Sequence, residues 1–236
     1  MTEWREPETA PRGSVIVIAG RGETTALYER FARRLAVDGY RSTVVVSDAA
    51  DALDAARAAV GTTPGDIPAV VVGSDAGASV AARIAAEHPA ALSGVVLAGL
   101  LTVGAVAPAD WAAEVEARSA CPVHRGVLAA SAVPGRLADA AEPVTADALA
   151  HVGVPALAVH GESDPVSPVA DALPVYDALR DADVVIVSGG RHDILNDVTH
   201  RSVAAEIVQF LERLRTPGAP HALSRSRAGD RTTVAA

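Results

Sequence analysis

Hydrophobic residues in this chain gather in short unbroken runs, and each run gives way to a more polar, alanine-rich stretch. Ser14–Ala19, Ser42–Val46, Ala69–Val72, Gly94–Leu100, Val154–His160 and Asp183–Val187 are the runs, and each reads as a strand. They are apolar at successive positions, as a strand must be when helices cover both faces of a parallel sheet. Between them the period changes. Leu27, Phe31 and Leu35 recur at helical spacing after Thr24 or Thr25 as cap, and Gly39 ends that helix. Residues 49–60, 77–87, 169–180 and 199–214 read as further helices, the third carrying Pro174 as a break or second start. Alternating strands and helices predict an α/β fold, a doubly wound and mostly parallel sheet of about six core strands.

The rhythm lapses between residues 103 and 150, where proline and glycine are scattered among short amphipathic pieces and no strand is evident. That segment reads as a short cap inserted before the fifth strand. One domain is expected over residues 14–214, with flexible tails at 1–13 and 216–236.

Composition narrows the picture. Half of the 236 residues are hydrophobic but aromatics are 3%, so the core must be built from Ala, Val, Leu and Ile. A net charge of −9 argues against nucleic acid or an anionic membrane as partner, and a small-molecule substrate is expected instead. With one cysteine, Cys121, no intramolecular disulfide can form. The N-terminus lacks the apolar segment of a signal peptide and no run is long enough to span a bilayer, so a cytoplasmic location is expected. The abundance of alanine and arginine resembles bacterial proteins of high-GC genomes.

The most specific motif is Gly73-Ser74-Asp75-Ala76-Gly77, at the end of the third run. A strand that breaks through a tight, glycine-bracketed turn into a helix is the layout of a nucleophile elbow. Small residues are needed two before and two after the apex, which places Asp75 at the apex where a serine is usual. Ser74 would be flanked by Val72 and Ala76, a poor fit to a crowded turn; it is expected as a neighbour in the site. The other two motifs are weaker alone. Asp164, held extended before Pro165, ends the turn after the fifth strand, and His192 lies in the loop after the sixth. Taken together, nucleophile, acid and histidine follow one another at the C-terminal ends of successive strands, where open α/β sheets bind ligands.

Other readings fall away. Gly20-Arg21-Gly22 opens like a dinucleotide fingerprint, but Thr25 stands where its third glycine belongs, and no Gly-Lys-Ser/Thr phosphate loop occurs. Cys121-Pro122-Val123-His124 offers too few ligands for a metal. No metal and no cofactor is expected. His124 and Arg125 of the cap, together with Gly20, are candidates for substrate contact.

On these motifs the span 14–214 resembles the α/β-hydrolase family. Ala19-Gly20-Arg21-Gly22-Glu23 is similar to that family's His-Gly-x-Gly oxyanion loop, with Ala19 in place of the histidine. His160-Gly161-Glu162-Ser163-Asp164 resembles its acid turn, and residues 189–196 its histidine loop in lysophospholipase- and monoacylglycerol-lipase-like members. The aspartate at the elbow resembles haloalkane dehalogenases and epoxide hydrolases. The resemblance implies a small-molecule hydrolase with an Asp75–His192–Asp164 triad and an oxyanion hole from the backbone N–H groups of Arg21 and Ala76. Asp75 as a general base, or a member that binds without hydrolysing, stays open.

Overall fold

A computed structural model describes residues 3–46 and 49–216 of the chain. The expected runs form six strands: β1 (Gly13–Ile18), β2 (Tyr40–Val45), β3 (Ala69–Ser74), β4 (Gly94–Ala98), β5 (Ala156–Gly161) and β6 (Ala182–Val187). They make one all-parallel sheet in the order β2-β1-β3-β4-β5-β6. Residues at the chain's two ends beyond these bounds, 1–2 and 217–236, lie outside the described residues. Near its start the chain runs beside β2, where Arg5 and Ser42 exchange backbone hydrogen bonds and the Arg41 guanidinium lies over Trp4.

The side-chain alternation of each strand divides the core into two layers. Ile16, Ile18, Val71, Val95 and Leu97 pack on one face against α2 (Ala49–Val60), α3 (Ala76–Glu87) and the helix α7 (Val169–Tyr176). Val15, Val17, Val70, Val72 and Val96 pack on the other against α1 (Glu29–Val37) and α8 (His200–Arg215). Each such side chain, fully buried, contributes roughly 1.5–3 kcal/mol, and the near absence of aromatics is offset by this density of Val, Ile and Ala. α7 ends at Tyr176, two residues past Pro174, which cannot donate the backbone hydrogen bond a helix interior needs.

The cap between β4 and β5 holds α4 (Trp111–Arg118), α5 (Pro122–Ser131) and α6 (Ala146–Ala150). Asp110 and Thr145 cap α4 and α6 by accepting from Ala113 and Ala148 backbone N–H groups. The cap reaches the sheet's C-terminal edge: the Val133 N–H donates to the Gly22 carbonyl, and the Ala117 and Arg118 carbonyls accept from His192 and Asp193. Among the described residues no helix is long and apolar enough to cross a membrane.

Candidate active site

The elbow is held by main-chain atoms on both sides. The Asp75 N–H continues the ladder of β3 by donating to the Ala98 carbonyl at 3.1 Å, and its own carbonyl accepts from Ala78 to start α3 at 3.0 Å. Between these two anchors Asp75 takes φ 51° and ψ −123°, alone among described non-glycine residues in having positive φ. Such a conformation costs about 1–3 kcal/mol and persists where the surroundings over-determine it. The glycines are required by crowding. A Cβ on Gly73 would strike the Gly77 carbonyl and Ala78, and one on Gly77 would strike the Ile18 and Ala19 carbonyls.

The strand ends bring Asp75, His192 and Asp164 together in a line. His192 Nε2 lies 3.2 Å from Asp75 Oδ1, and His192 Nδ1 lies 2.8 Å from Asp164 Oδ2. All three are buried. Asp164 Oδ1 accepts from the N–H groups of Val166 and Ser167, so each of its oxygens is fixed. Beneath it His160 is locked in one tautomer. Tyr176 donates its hydroxyl to Nδ1 at 2.9 Å, and Nε2 donates to the Ser167 carbonyl at 2.7 Å.

Sequence reasoning gave Arg21 a backbone role only; its side chain is what it missed. Arg21 Nε donates to Asp75 Oδ2 at 2.8 Å and Nη2 to Oδ1 at 2.7 Å, a planar two-point clamp. The Arg21 N–H adds a third bond to Oδ2 at 2.9 Å. Nη1 reaches across to the cap, donating to the carbonyls of Leu137 and Asp139 at 2.8 and 3.1 Å. Asp75 thus accepts four hydrogen bonds, two on each oxygen.

The charges follow from this geometry. Burial alone would push the Asp75 carboxyl up, but hydrogen bonds and charge from His192 and Arg21 outweigh it and hold the group far below the usual carboxylate range. Burial would pull His192 down, yet the charge of Asp164 and hydrogen bonds to Asp164 and Asp75 push it up to about 10. At neutral pH the line is therefore carboxylate, imidazolium, carboxylate, with the Arg21 cation beyond it.

A second buried ionic cluster adjoins the first. Arg118, fully buried on α4, donates to Glu114 Oε1 through Nε and Nη2, at 3.0 and 2.9 Å, to Asp193 Oδ1 at 3.3 Å, and to the Arg21 carbonyl. Its Nη1 lies 3.7 Å from Glu23 Oε1. Glu23 also accepts from the Gly20 N–H and the Tyr28 hydroxyl. Burial, with the nearby charge of Asp193, pushes the Glu23 carboxyl up to about 7 against the pull of Arg118.

The remaining candidates divide. Gly20, Arg21 and Ala76 border a cavity of about 470 Å³ between the loop at 20–24, the start of α3 and cap residues 133–141. Ser74 is buried with its hydroxyl bonded to Tyr28, away from that cavity. His124 and Arg125 do not border it either: His124 Nε2 is 3.0 Å from Asp193 Oδ2, and Arg125 Nε donates to the Ser119 carbonyl at 2.6 Å. Helix α5 turns His124 toward the histidine loop and ties Arg125 back to the cap's own main chain. No cluster of three or more His, Cys, Asp or Glu suited to a metal occurs among the described residues.

A six-stranded all-parallel sheet in this strand order defines a class of folds, and the comparisons agree on that fold. Residues 132–222, which carry Asp164 and His192, match the TAP-like protein family, Abhydrolase_4. The structure resembles a monoacylglycerol lipase of Paleococcus ferrophilus, with TM-score 0.72 and 14% identity over 91% of this chain and 99% of that one. It also resembles a soluble variant of monoglyceride lipase from Saccharomyces cerevisiae, with TM-score 0.71 and 16% identity over 90% of each chain. A proline iminopeptidase of Mycobacterium smegmatis aligns with TM-score 0.65 and 18% identity, over 91% of this chain and 94% of that one. No curated protein matches the chain in sequence. The chain has the α/β-hydrolase fold.

Proposed function

We propose that this chain is a small-molecule hydrolase in which Asp75 attacks an electrophilic carbon and His192 then activates water. The observation that carries the reading is the strained apex, with Asp75 at φ 51° and His192 Nε2 at 3.2 Å, backed by Asp164 at 2.8 Å. In the first step an Asp75 oxygen forms a bond to carbon as the leaving group departs with its electron pair, giving an aspartyl ester. Esterification removes one of the charges that raise His192, so the imidazolium passes its proton to the departing group and becomes a base. Neutral His192 takes a proton from water as the water oxygen adds to the ester carbonyl. The N–H groups of Arg21 and Ala76 stabilise the oxyanion, and collapse returns the Asp75 carboxylate and an alcohol. Asp164 holds the ring's orientation and its charge.

A carboxyl held so far below its usual range is a poor proton acceptor at neutral pH, which counts against a general-base role for Asp75. The test is turnover of a panel of epoxides and haloalkanes, neutral and carboxylate-bearing, in heavy-oxygen water, followed by mass spectrometry of the peptide containing Asp75. Heavy oxygen in the Asp75 carboxyl is the expected result; turnover without label removes the covalent step. A second reading, a member that binds ligands without hydrolysing them, is favoured by the four hydrogen bonds that occupy both oxygens of Asp75. It predicts no turnover of any member of the panel.

A further inference from the structure

We propose that the site is selective for small carboxylates, and that the ligand's carboxylate displaces Asp75 from the Arg21 guanidinium. The inference names the substrate class of the hydrolase reading and rests on it. Arg21 borders both the cavity and Asp75, whereas Asp75 and His192 do not border the cavity. A molecule in that cavity therefore meets Arg21 before it meets the elbow. The remaining charged groups on the wall are Arg136, Glu23 and Asp139. Arg136 pairs with Asp139 at 2.6 Å, and Glu23 is turned to the Gly20 N–H and Tyr28.

A neutral ligand could reach Asp75 only by parting a half-buried cation from a buried anion, with nothing to replace either partner. A carboxylate offers Arg21 the same two-point acceptor that Asp75 offers it, so the guanidinium keeps its fork filled. Asp75 then keeps the Arg21 backbone N–H and His192 Nε2, one hydrogen bond on each oxygen, and the lone pairs that faced the guanidinium are released. Because Arg21 also holds the Leu137 and Asp139 carbonyls, its movement loosens the cap over the cavity at the same moment. In this scheme the ligand's own charge unmasks the nucleophile. The electrophilic carbon must then lie within a bond or two of the carboxylate, since Asp75 and the guanidinium are in direct contact.

The experiment compares butyrate with butyramide, equal in shape and different in charge, by calorimetric titration of the full chain. Wild type is expected to bind butyrate at least tenfold more tightly than butyramide. Asp75→Asn removes the internal competitor and is expected to tighten butyrate by about tenfold while leaving butyramide unchanged. A clamp of structural importance alone gives no such gain. Arg21→Gln is expected to abolish the preference, but the wild-type and Asp75→Asn titrations decide the matter even if Arg21→Gln does not fold. Equal affinity for the two ligands in wild type, or unchanged butyrate affinity in Asp75→Asn, overturns the proposal. Heavy-oxygen labelling separates the two readings. Butyrate preference with no label at Asp75 from carboxylate-bearing electrophiles sustains the carboxylate selectivity and removes the covalent step, and label from neutral electrophiles with no butyrate preference does the reverse.

Discussion

Two buried ionic clusters meet at the C-terminal edge of the sheet, and they are built alike but equipped differently. In the Arg118 cluster one guanidinium is surrounded by Glu114, Asp193 and Glu23, and its partners are further tied to His124, Tyr28 and the Gly135 N–H. None of its backbone is strained, and of its charged members Glu23 alone borders the cavity. The Asp75 cluster has as many hydrogen bonds, but its central carboxylate sits on a strained apex and its cation borders the cavity. Burial and charge are common to both. On the proposed reading, what separates a reacting site from a structural one is strained backbone at a strand end, combined with a cavity-facing side chain over it.

That contrast can be broken in graded ways. The largest effect belongs to Asp75→Asn, which is expected to lower kcat by roughly 10³-fold or more while the far-ultraviolet dichroism stays that of wild type. Asparagine tolerates positive φ, so the elbow survives. Equal activity in Asp75→Asn, with loss in Ser74→Ala, would move the nucleophile by one residue. Next comes Arg118→Met, which strands Glu114 and Asp193 in the interior. It is expected to cost about 3–5 kcal/mol in urea unfolding, more than Asp75→Asn does. If the two substitutions destabilise equally, the division into structural and reacting clusters fails.

A third test reads His192 directly. Its imidazole resonances should titrate near pH 10 in wild type, and at lower pH in Asp75→Asn, which lacks one of the charges that raise it. The folded value lies above the ordinary 6.5. The resulting stabilisation is therefore complete below about pH 6.5 and is lost as pH rises through about 10. The smallest effect is that of Glu23→Gln. Glu23 is raised to about 7 in the fold, so its ionisation lowers stability as pH climbs from its ordinary 4.5 through 7. Glutamine lacks that ionisation. The variant should come close to wild type at pH 5 and melt several degrees higher at pH 8 in a calorimetric scan.

Much of this arrangement is legible in the sequence because it depends on local pattern. Continuous apolar runs mark β1 to β5, and glycine spacing marks Asp75 as the apex. Asp164 and His192 gain meaning from their order after successive strands. The cap helices α4 and α5 escape, since their amphipathic stripes are short and broken by proline and glycine. β6 misleads in a different way: its run reads as buried, yet it is the sheet's edge, and Val184 and Ile186 are exposed. The Arg21 clamp escapes because its partner lies 54 residues away. Arg118 likewise draws Asp193 from 75 residues away and the Arg21 carbonyl from 97. Nothing in a window of neighbouring residues announces such contacts.

The elbow's two anchors, the Ala98 carbonyl before the apex and the Ala78 N–H after it, belong entirely to the main chain. The turn therefore asks of residue 75 only a side chain that tolerates positive φ. It is a socket whose tool can be exchanged while the handle stays fixed. A serine set there would inherit the same aim toward His192, and the chemistry of the fold could change with one codon and no rebuilding of the sheet.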